Sequence, residues 1–185
     1  KVNGEAAGPV HQGGFYPFRY EITKLVKYGG PSLLEVTVSK ESSNESVNRA
    51  ERRGDYWNFG GIFRPVYLQA YPEQFIDRIA IDARADGRFE MQVSVNGRGP
   101  ADTVRAEITN AEGKVVSDVC EAGLNNAGTA VLRTEVNQPA QWTPETPNLY
   151  TVSASLLAGD DTLHKRSERF GFRRVEVKTG DGIYI

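Results

Sequence analysis

The sequence predicts an all-β protein built from two β-sandwich regions. Many short segments alternate apolar and polar residues with a period of two, which is the period of a strand that buries one face. Turn-forming residues separate these segments, as in NGRG, NAEG, NNAG and AGDD. No coiled-coil heptad, repeat or charge block is present. Segments of this kind can pair side by side and turn their apolar faces toward a common core.

The predicted strands are bounded by Gly, Pro, Asn and Asp and contain many β-branched and aromatic residues. They lie at 17–23, 33–39, 62–71, 75–83, 88–95, 103–109, 114–120, 129–136, 149–157 and 163–177. The one candidate for helical structure is a turn at residues 22–29, which Thr23 would cap and Gly29 would end. In the last strand the alternation slips between Gly171 and Arg174, which predicts a bulge.

Composition excludes several classes of protein. The chain has 185 residues, a hydrophobic fraction of 39% and a net charge of −2, which fits one or two globular domains. The near balance of charge argues against nucleic acid or an anionic membrane as a partner. No apolar run approaches the roughly 20 residues that span a bilayer. Cys120 is the only cysteine, so an internal disulfide framework and a cysteine-rich zinc site are excluded.

The two ends of the sequence resemble internal segments. The chain begins with KVNGEAAG, which contains a hairpin-turn signal but neither an initiator Met nor a signal peptide. It stops in an apolar run just after the turn TGDG. We therefore expect a fragment of a larger protein, and the compartment stays open among periplasmic, secreted and cytoplasmic locations in a bacterium.

A domain boundary is predicted at Pro72. The residues before it are rich in glycine and aromatic side chains and include the polar stretch SKESSNES at 39–46. After it come about seven short, regularly spaced strands over roughly 100 residues, a pattern typical of an immunoglobulin-like or fibronectin-like sandwich. The Cys…Trp…Cys spacing of antibody domains is lacking.

Four blocks of sequence carry a resemblance to a known family. In order, they are VNGEAAGPVHQGGFYPFRYEITKLVKYGGPSLLEVTVS, GDYWNFGGIFRPVYLQAYP, QWTPETPNLYTVSASL, and RFGFRRVEV with the later GIYI. Together they resemble glycoside hydrolase family 2, which holds β-galactosidases, β-glucuronidases and β-mannosidases. The resemblance implies that 1–72 are the later part of a jelly-roll-like sugar-binding domain. It further implies that 73–178 form an immunoglobulin-like domain and that 179–185 begin a (β/α)₈ catalytic barrel.

Catalytic residues are not expected in this chain. Retaining glycosidases use two carboxylates about 5–5.5 Å apart, and the resemblance places both, as glutamates, on the barrel, with the acid/base after an Asn. The pair Asn44-Glu45 lies in a Ser-rich stretch, where we expect a solvated loop. His11 and His164 have no Ser or Cys nucleophile motif nearby. No three metal ligands occur at a recognisable spacing, so we expect no cofactor in this fragment. For the parent protein, the resemblance implies an alkali or divalent metal ion.

The segment RRGDYWNFGG, residues 52–61, is the candidate sugar-binding site. Aromatic rings can cover the C–H faces of a sugar, and Asp, Asn and Arg can bind its hydroxyl groups. In family members that this segment resembles, an aspartate reaches the barrel mouth and contacts a sugar hydroxyl. Carried over by position, that residue is Asp55, and Trp57 and Asn58 are the other substrate-binding candidates.

Structural roles for the same segment stay open. Asp55 could cap a turn or pair with Arg52 or Arg64, and Trp57 could be a packing residue. Gly60 and Gly61 would let the backbone adopt positive φ angles or approach a neighbour closely. Elsewhere, we expect packing for Trp142 and salt bridges to the barrel for Arg169, Arg173 and Arg174.

The resemblance implies the non-catalytic region of an exo-acting, retaining β-glycosidase of carbohydrate metabolism. Its partners would be a carbohydrate substrate, through the parent active site, and the catalytic barrel of the same chain. Residues 1–72 would leave an apolar face and strand edges uncovered, so association of copies is also open. The alternatives are a free-standing carbohydrate-binding module and a structural or adhesive pair of β-sandwiches.

Overall fold

Strands dominate the regular structure of the computed structural model, which describes residues 1–54 and 60–184. The elements are one helix and nine strands among these residues: α1 (Glu45–Arg52), β1 (Gln74–Ala83), β2 (Arg88–Gly97), β3 (Thr103–Thr109), β4 (Cys120–Gly123), β5 (Thr129–Glu135), β6 (Tyr150–Ala158), β7 (Asp161–Phe170), β8 (Glu176–Lys178) and β9 (Gly182–Tyr184). The predicted all-β class is confirmed. The chain divides into two units, Lys1–Leu68 and Gln69–Ile185. No helix in the described part is long and apolar enough to cross a membrane.

The second unit is a sandwich of two antiparallel sheets. One sheet has three strands in the order β1-β2-β5, and the other has four in the order β4-β3-β6-β7. A separate hairpin is formed by β8 and β9. In β2 and β3, alternate residues are buried while their neighbours stay partly or fully exposed. The period of two in the sequence therefore becomes one apolar face for each sheet.

The core lies between these two faces. Its buried side chains come from both sheets: Ile76, Phe89, Met91, Val93, Ala101, Val104, Ala106, Ile108, Ala130, Leu132, Val136, Tyr150, Val152, Ala154, Leu156, Phe170 and Phe172. Full burial of one large aliphatic or aromatic side chain stabilises a fold by about 1.5–3 kcal/mol. The core is therefore the main source of stability for this unit.

The chain changes sheets immediately after β7, which corrects the single strand predicted at 163–177. β7 ends at Phe170. Phe172 then pairs in parallel with Gln141, and Arg173 pairs in parallel with Arg84 beside β1. The alternation slips at Gly171 because the backbone crosses from one sheet to the other at this point. Phe172, which lies in the crossing segment, is fully buried in the core.

The strand predicted at 114–120 is also wrong. Val115 makes only an isolated bridge with Thr109, and β4 does not begin until Cys120. The Ser117 hydroxyl accepts a hydrogen bond from the Ile108 backbone N–H at 3.2 Å. The Ser117 side chain thus accepts the hydrogen bond that the backbone carbonyl of a paired strand would otherwise accept from β3.

The first unit contains no extended strand among its described residues, so the strands predicted at 17–23, 33–39 and 62–71 are wrong. Backbone pairing in the described part of this unit is limited to isolated bridges of Val2 with Glu5 and with Leu34. The apolar side chains that suggested strands are largely exposed, among them Phe18, Leu33, Val36, Val66 and Leu68. Since a strand is stabilised by a hydrogen-bonded neighbour and a buried face, these segments remain irregular.

The candidate helical turn is a single turn rather than a segment reaching Gly29. Leu25 and Val26 both donate backbone hydrogen bonds to the Ile22 carbonyl, at 2.8 and 3.2 Å. The cap is also different from the predicted one, because the Glu21 carboxylate accepts a hydrogen bond from the Thr23 backbone N–H at 2.8 Å.

Candidate functional site

The centre of the predicted sugar-binding segment, residues 55–59, lies outside the described residues. Asp55, Trp57 and Asn58 therefore stay predictions. The structure describes the flanks of this segment, with α1 and Arg53-Gly54 before it and Gly60-Gly61 after it.

The helix α1 begins at an asparagine cap. The Asn44 side-chain oxygen accepts a hydrogen bond from the Val47 backbone N–H at 3.2 Å, which satisfies one of the free donors at a helix start. Glu45 in the first turn forms an ion pair with Arg49 at 3.1 Å, and its side chain is 87% exposed. The solvated loop predicted around Asn44-Glu45 is thus corrected to a solvent-exposed helix start.

Arginines cluster at the C-terminal end of α1, just before the candidate segment. A shallow hollow of about 320 Å³ is lined by Glu45, Asn48, Arg49, Arg52 and Arg53. Arg52 donates to the Lys40 carbonyl at 3.3 Å and lies 3.6 Å from the Glu41 carboxylate. This helix is absent from the predicted elements, although the Asn cap, the early Glu and the late Arg residues are standard start and stop signals.

Residues 12–14 hold α1 at both ends. Gln12 donates to the Ser43 hydroxyl at 3.0 Å and accepts a hydrogen bond from the Ser42 hydroxyl at 2.5 Å, just before the helix. Near the helix end, the Glu51 carboxylate accepts a hydrogen bond from the Gly14 backbone N–H at 2.6 Å. These bonds connect residues 12–14 to the residues just before α1 and to its last turn.

His11 has a local structural role. Its ring stacks on Phe18 with 4.3 Å between the ring centroids, and its Nε2 lies 2.8 Å from the Gly13 carbonyl. These contacts order the segment that precedes the Gln12 and Gly14 tethers.

On the far side of the segment, Gly61 has a φ of 97°. A residue with a Cβ rarely adopts this conformation, so the predicted use of glycine for a positive φ is confirmed at this position. The Arg64 guanidinium carbon lies 5.4 Å from the centroid of the Phe63 ring. Phe63 itself is 59% exposed, so an exposed aromatic and cationic pair follows the segment.

The carboxylates of the described residues lie at or near the surface. Gln74 is the only buried polar or charged residue among them, so none of their carboxylates is buried. Hydrogen bonds from Thr23 lower the pKa of the Glu21 carboxyl, and hydrogen bonds from Arg88 lower the pKa of the Asp86 carboxyl. The acid of a glycosidase instead needs a raised pKa. In the same part of the chain, no group of three His, Cys, Asp or Glu residues could hold a metal ion.

Comparison with known proteins gives one family match. The model described as "Glycosyl hydrolases family 2" matches residues 74–173, which run from β1 through the crossing after β7. A β-galactosidase of Thermoanaerobacter pseudethanolicus is 30% identical over 190 residues, covering 100% of this chain and 25% of the relative. A putative β-glucuronidase of Formosa agariphila is also 30% identical, and there the match covers 100% of this chain and 22% of the relative. The chain thus spans about a quarter of the length of these relatives.

Solved structures share the fold over the whole chain. A glycosyl hydrolase family 2 member from Bacteroides cellulosilyticus superposes with a TM-score of 0.80 at 20% identity, covering 100% of this chain and 26% of that one. A β-glucuronidase of Bacteroides uniformis superposes with a TM-score of 0.78 at 24% identity, covering 100% and 24%. At these identities the likeness concerns the fold.

Proposed function

This chain belongs to family 2 of the glycosyl hydrolases, and on that premise we propose that it is the non-catalytic β-sandwich region of a retaining β-glycosidase. The parent would hydrolyse O-glycosyl bonds of terminal sugars in a β-galactosidase-like or β-glucuronidase-like reaction. Residues 1–72 would belong to its sugar-binding domain, 73–178 to its immunoglobulin-like domain and 179–185 to the start of its barrel. The chain would shape the rim of the active site and support the barrel.

One observation carries this proposal: the family match coincides with the sandwich. The matched residues 74–173 begin with β1 and end at Arg173, the residue that pairs back onto the edge of β1. The matched piece is therefore a structural unit with its own core, in a chain that aligns with about a quarter of each relative.

The chemistry of the described residues supports a non-catalytic role. Cleavage with retention needs two facing carboxylates, one of them a proton donor. The carboxylates Asp82, Glu90 and Glu121 instead pair with arginines on the exposed surface. The acid and nucleophile of the parent would then come from the barrel, as the family resemblance implies.

Asp55, Trp57 and Asn58 are proposed as contacts to the sugar in the assembled enzyme. Supporting this role, α1 is tethered at both ends and finishes with Arg52 and the C-cap Arg53, which precede Asp55 by three and two positions. Asp55 would bind a sugar hydroxyl, while Trp57 and Asn58 would border the sugar ring. An alkali or divalent ion in the parent would need ligands beyond those of the described residues, which contain no suitable cluster.

The test compares the 185-residue chain with the full-length protein. Each is incubated with p-nitrophenyl β-galactoside, β-glucuronide and β-mannoside, and product anomers are followed by NMR. We expect retention of configuration by the full-length protein and no release of p-nitrophenol by the chain. Hydrolysis by the chain, or inactivity of the full-length protein on all three, would contradict the proposal. Micromolar binding of galactose, glucuronate or mannose to the chain would support a carbohydrate-binding module instead.

A further inference from the structure

The tripeptide Val-Asn-Gly occurs twice in the sequence, with its asparagine at Asn3 and at Asn96. Glycine after asparagine favours the spontaneous loss of ammonia, because glycine has no Cβ to shield its backbone nitrogen. That nitrogen can attack the carbonyl carbon of the asparagine side chain and close a five-membered ring. Since the reaction needs these two atoms close together, the fold decides which of the two asparagines can react.

The second tripeptide lies at the end of β2, where Asn96 and Gly97 are both exposed. The pairing of β2 with β5 ends at Ser94, and one further bond on this side joins the Val95 N–H to the Gly128 carbonyl at 2.8 Å. Successive N–H groups of a strand point to alternate sides, so the Gly97 N–H points the same way as that of Val95. The Gly97 nitrogen therefore lies just beyond the ladder between β2 and β5.

The Gly97 nitrogen is held against the side chain that it would attack. Its N–H donates to Asn96 Oδ1 at 2.7 Å. Because a carbonyl bond is about 1.2 Å long, the Asn96 Cγ lies at most about 3.9 Å from this nitrogen. Atoms that are ready to react are about 3–3.5 Å apart. A small rotation of the Asn96 side chain therefore brings its carbonyl carbon within reach of the nitrogen.

Asn3 has the same two sequence neighbours but a locked side chain. Its Nδ2 donates to the Leu25 carbonyl at 2.7 Å, and its Oδ1 accepts a hydrogen bond from the Leu33 N–H at 2.9 Å. Turning this amide toward the Gly4 nitrogen would break both bonds. The two asparagines thus differ in the freedom of the side chain and not in the adjacent residues.

We propose that Asn96 is a site of spontaneous deamidation. Hydroxide removes the proton of the Gly97 N–H, and the nitrogen attacks Asn96 Cγ. The tetrahedral adduct takes a proton from water, which restores hydroxide, and expels ammonia to leave a succinimide ring. Water then opens this ring. Attack of water at Cγ gives aspartate, whereas attack at the main-chain carbonyl gives isoaspartate, whose backbone runs through Cβ and Cγ and is longer by one carbon.

Isoaspartate at this position would disturb the start of β1. Asn96 pairs with Phe75, and Gly97 pairs with Gln74. Gly97 has a φ of 85°, and a Cβ built on it would overlap the Glu73 carbonyl oxygen, so the two backbones are already in close contact. An extra backbone carbon would shift these pairs out of register. The isoaspartate form should therefore be less stable than the aspartate form, whose backbone has the normal length.

The test follows the 185-residue chain by mass spectrometry during incubation at pH 8, both folded and in concentrated urea. Trypsin releases Asn96 in the peptide 89–98 and Asn3 in the peptide 2–19, and an isoaspartyl methyltransferase labels isoaspartate. In the folded chain we expect Asn96 to lose ammonia at least about tenfold faster than Asn3, since misplacement by about 1 Å can cost a factor of about 100. In urea the two rates should converge, because the adjacent residues are the same.

Two substitutions separate the reaction from its consequence. Asn96→Gln should prevent the modification of peptide 89–98, because a glutamine would have to close a less favourable six-membered ring. Freshly prepared Asn96→Asp carries the new charge on a normal backbone, so it should unfold at nearly the same urea concentration as the unaltered chain. A chain aged until isoaspartate has formed should contain a second population that unfolds at lower urea concentration.

Three results would overturn the proposal. They are no loss of ammonia at Asn96 in the folded chain while the chain in urea converts, equal rates for Asn96 and Asn3 in the folded chain, and a difference between the two rates that persists in urea. The last result would assign the difference to residues beyond the shared tripeptide. An aged chain that unfolds as Asn96→Asp does would contradict the proposed effect on β1.

Discussion

His164 on β7 accepts a hydrogen bond from the backbone N–H of Ile76 on β1, with 3.2 Å between the two nitrogens. Two residues further along β7, Arg166 donates to the Asp77 carbonyl at 2.5 Å. The register of β1 shifts between Ile76 and Arg78, and side chains of the opposite sheet bind the backbone at this irregularity. The two sheets are thus joined here by side chains rather than by strand pairing.

The His164 bond predicts that stability depends on pH. Burial first, and then the nearby Arg166 charge, lower the pKa of His164 in the folded state below its usual 6.5. The unfolded chain therefore takes up this proton at a higher pH than the folded chain. The free energy of unfolding should be highest above pH 6.5 and should decrease as the pH falls below it.

Urea unfolding between pH 8 and pH 5 measures this effect, with His164→Gln as the control. The Gln side chain can accept a hydrogen bond but does not titrate, so its profile should be flatter over this range. Parallel pH profiles for the two proteins would show that another group is responsible.

Gln74 is expected to be a strong determinant of stability. It is buried, its Nε2 donates to the Ala101 carbonyl at 2.8 Å, and its Oε1 accepts from the Ala101 N–H at 2.9 Å. Gln74→Leu would leave both backbone groups without this partner, at about 1–3 kcal/mol for each. We expect chemical denaturation to show a loss of about 2–6 kcal/mol in the free energy of unfolding. Gln92→Leu on the exposed face of β2 is the matched control, and equal losses for the two variants would contradict this role.

A methyl group at Gly171 should be poorly tolerated. A Cβ built there would lie 2.5 Å from Trp142 Cβ and 2.8 Å from its Cγ, closer than van der Waals contact. Gly171→Ala should lower the free energy of unfolding by about 1–3 kcal/mol, the usual cost of overpacking. Gly123→Ala is the control, because its nearest atom would be the Asp102 carbonyl oxygen at 3.8 Å.

A double-mutant cycle with Trp142→Leu identifies the cause. If Trp142 is the obstacle, Gly171→Ala should cost less in that background, with a coupling above about 0.5 kcal/mol. Additive effects of the two substitutions would mean that the strain lies elsewhere.

Asp55→Ala in the full-length protein tests the proposed sugar contact. A hydrogen bond to a charged group contributes about 1.5–3 kcal/mol, and each 1.36 kcal/mol is about tenfold in rate. We expect kcat/KM to fall roughly 10- to 150-fold, with part of the loss in kcat if the bond strengthens in the transition state. If Asp55 only caps a turn or pairs with an arginine, the melting temperature should fall while kcat/KM stays near normal.

The strands predicted most accurately are those whose own residues alternate between apolar and polar. The alternation of Phe89, Met91 and Val93 predicted β2, and that of Val104, Ala106 and Ile108 predicted β3. In 33–39 a similar alternation formed no strand, because pairing depends on a neighbour that local sequence does not specify. The helix α1 was missed because the serines around Asn44 also favour a loop.

The candidate site was predictable only in part. Asp55 was identified from the family resemblance, since a polar and aromatic loop alone does not specify a ligand. The tethers from Gln12 and Gly14 to α1 join residues that lie 30 or more positions apart. Contacts between residues so far apart in sequence depend on the tertiary fold, and no local sequence pattern predicts them.

The crossing at Phe172 has a consequence for synthesis on the ribosome. Ile76 and Phe172 belong to one core, and the bond from Ile76 to His164 spans 88 positions. A nascent chain therefore cannot complete this core until Phe172 has left the exit tunnel. Until then, β1 to β6 would expose apolar faces such as that of Met91, a state that favours aggregation and chaperone binding. Contacts this distant along the chain also place folding in the slow range of milliseconds to seconds typical of β-sandwiches.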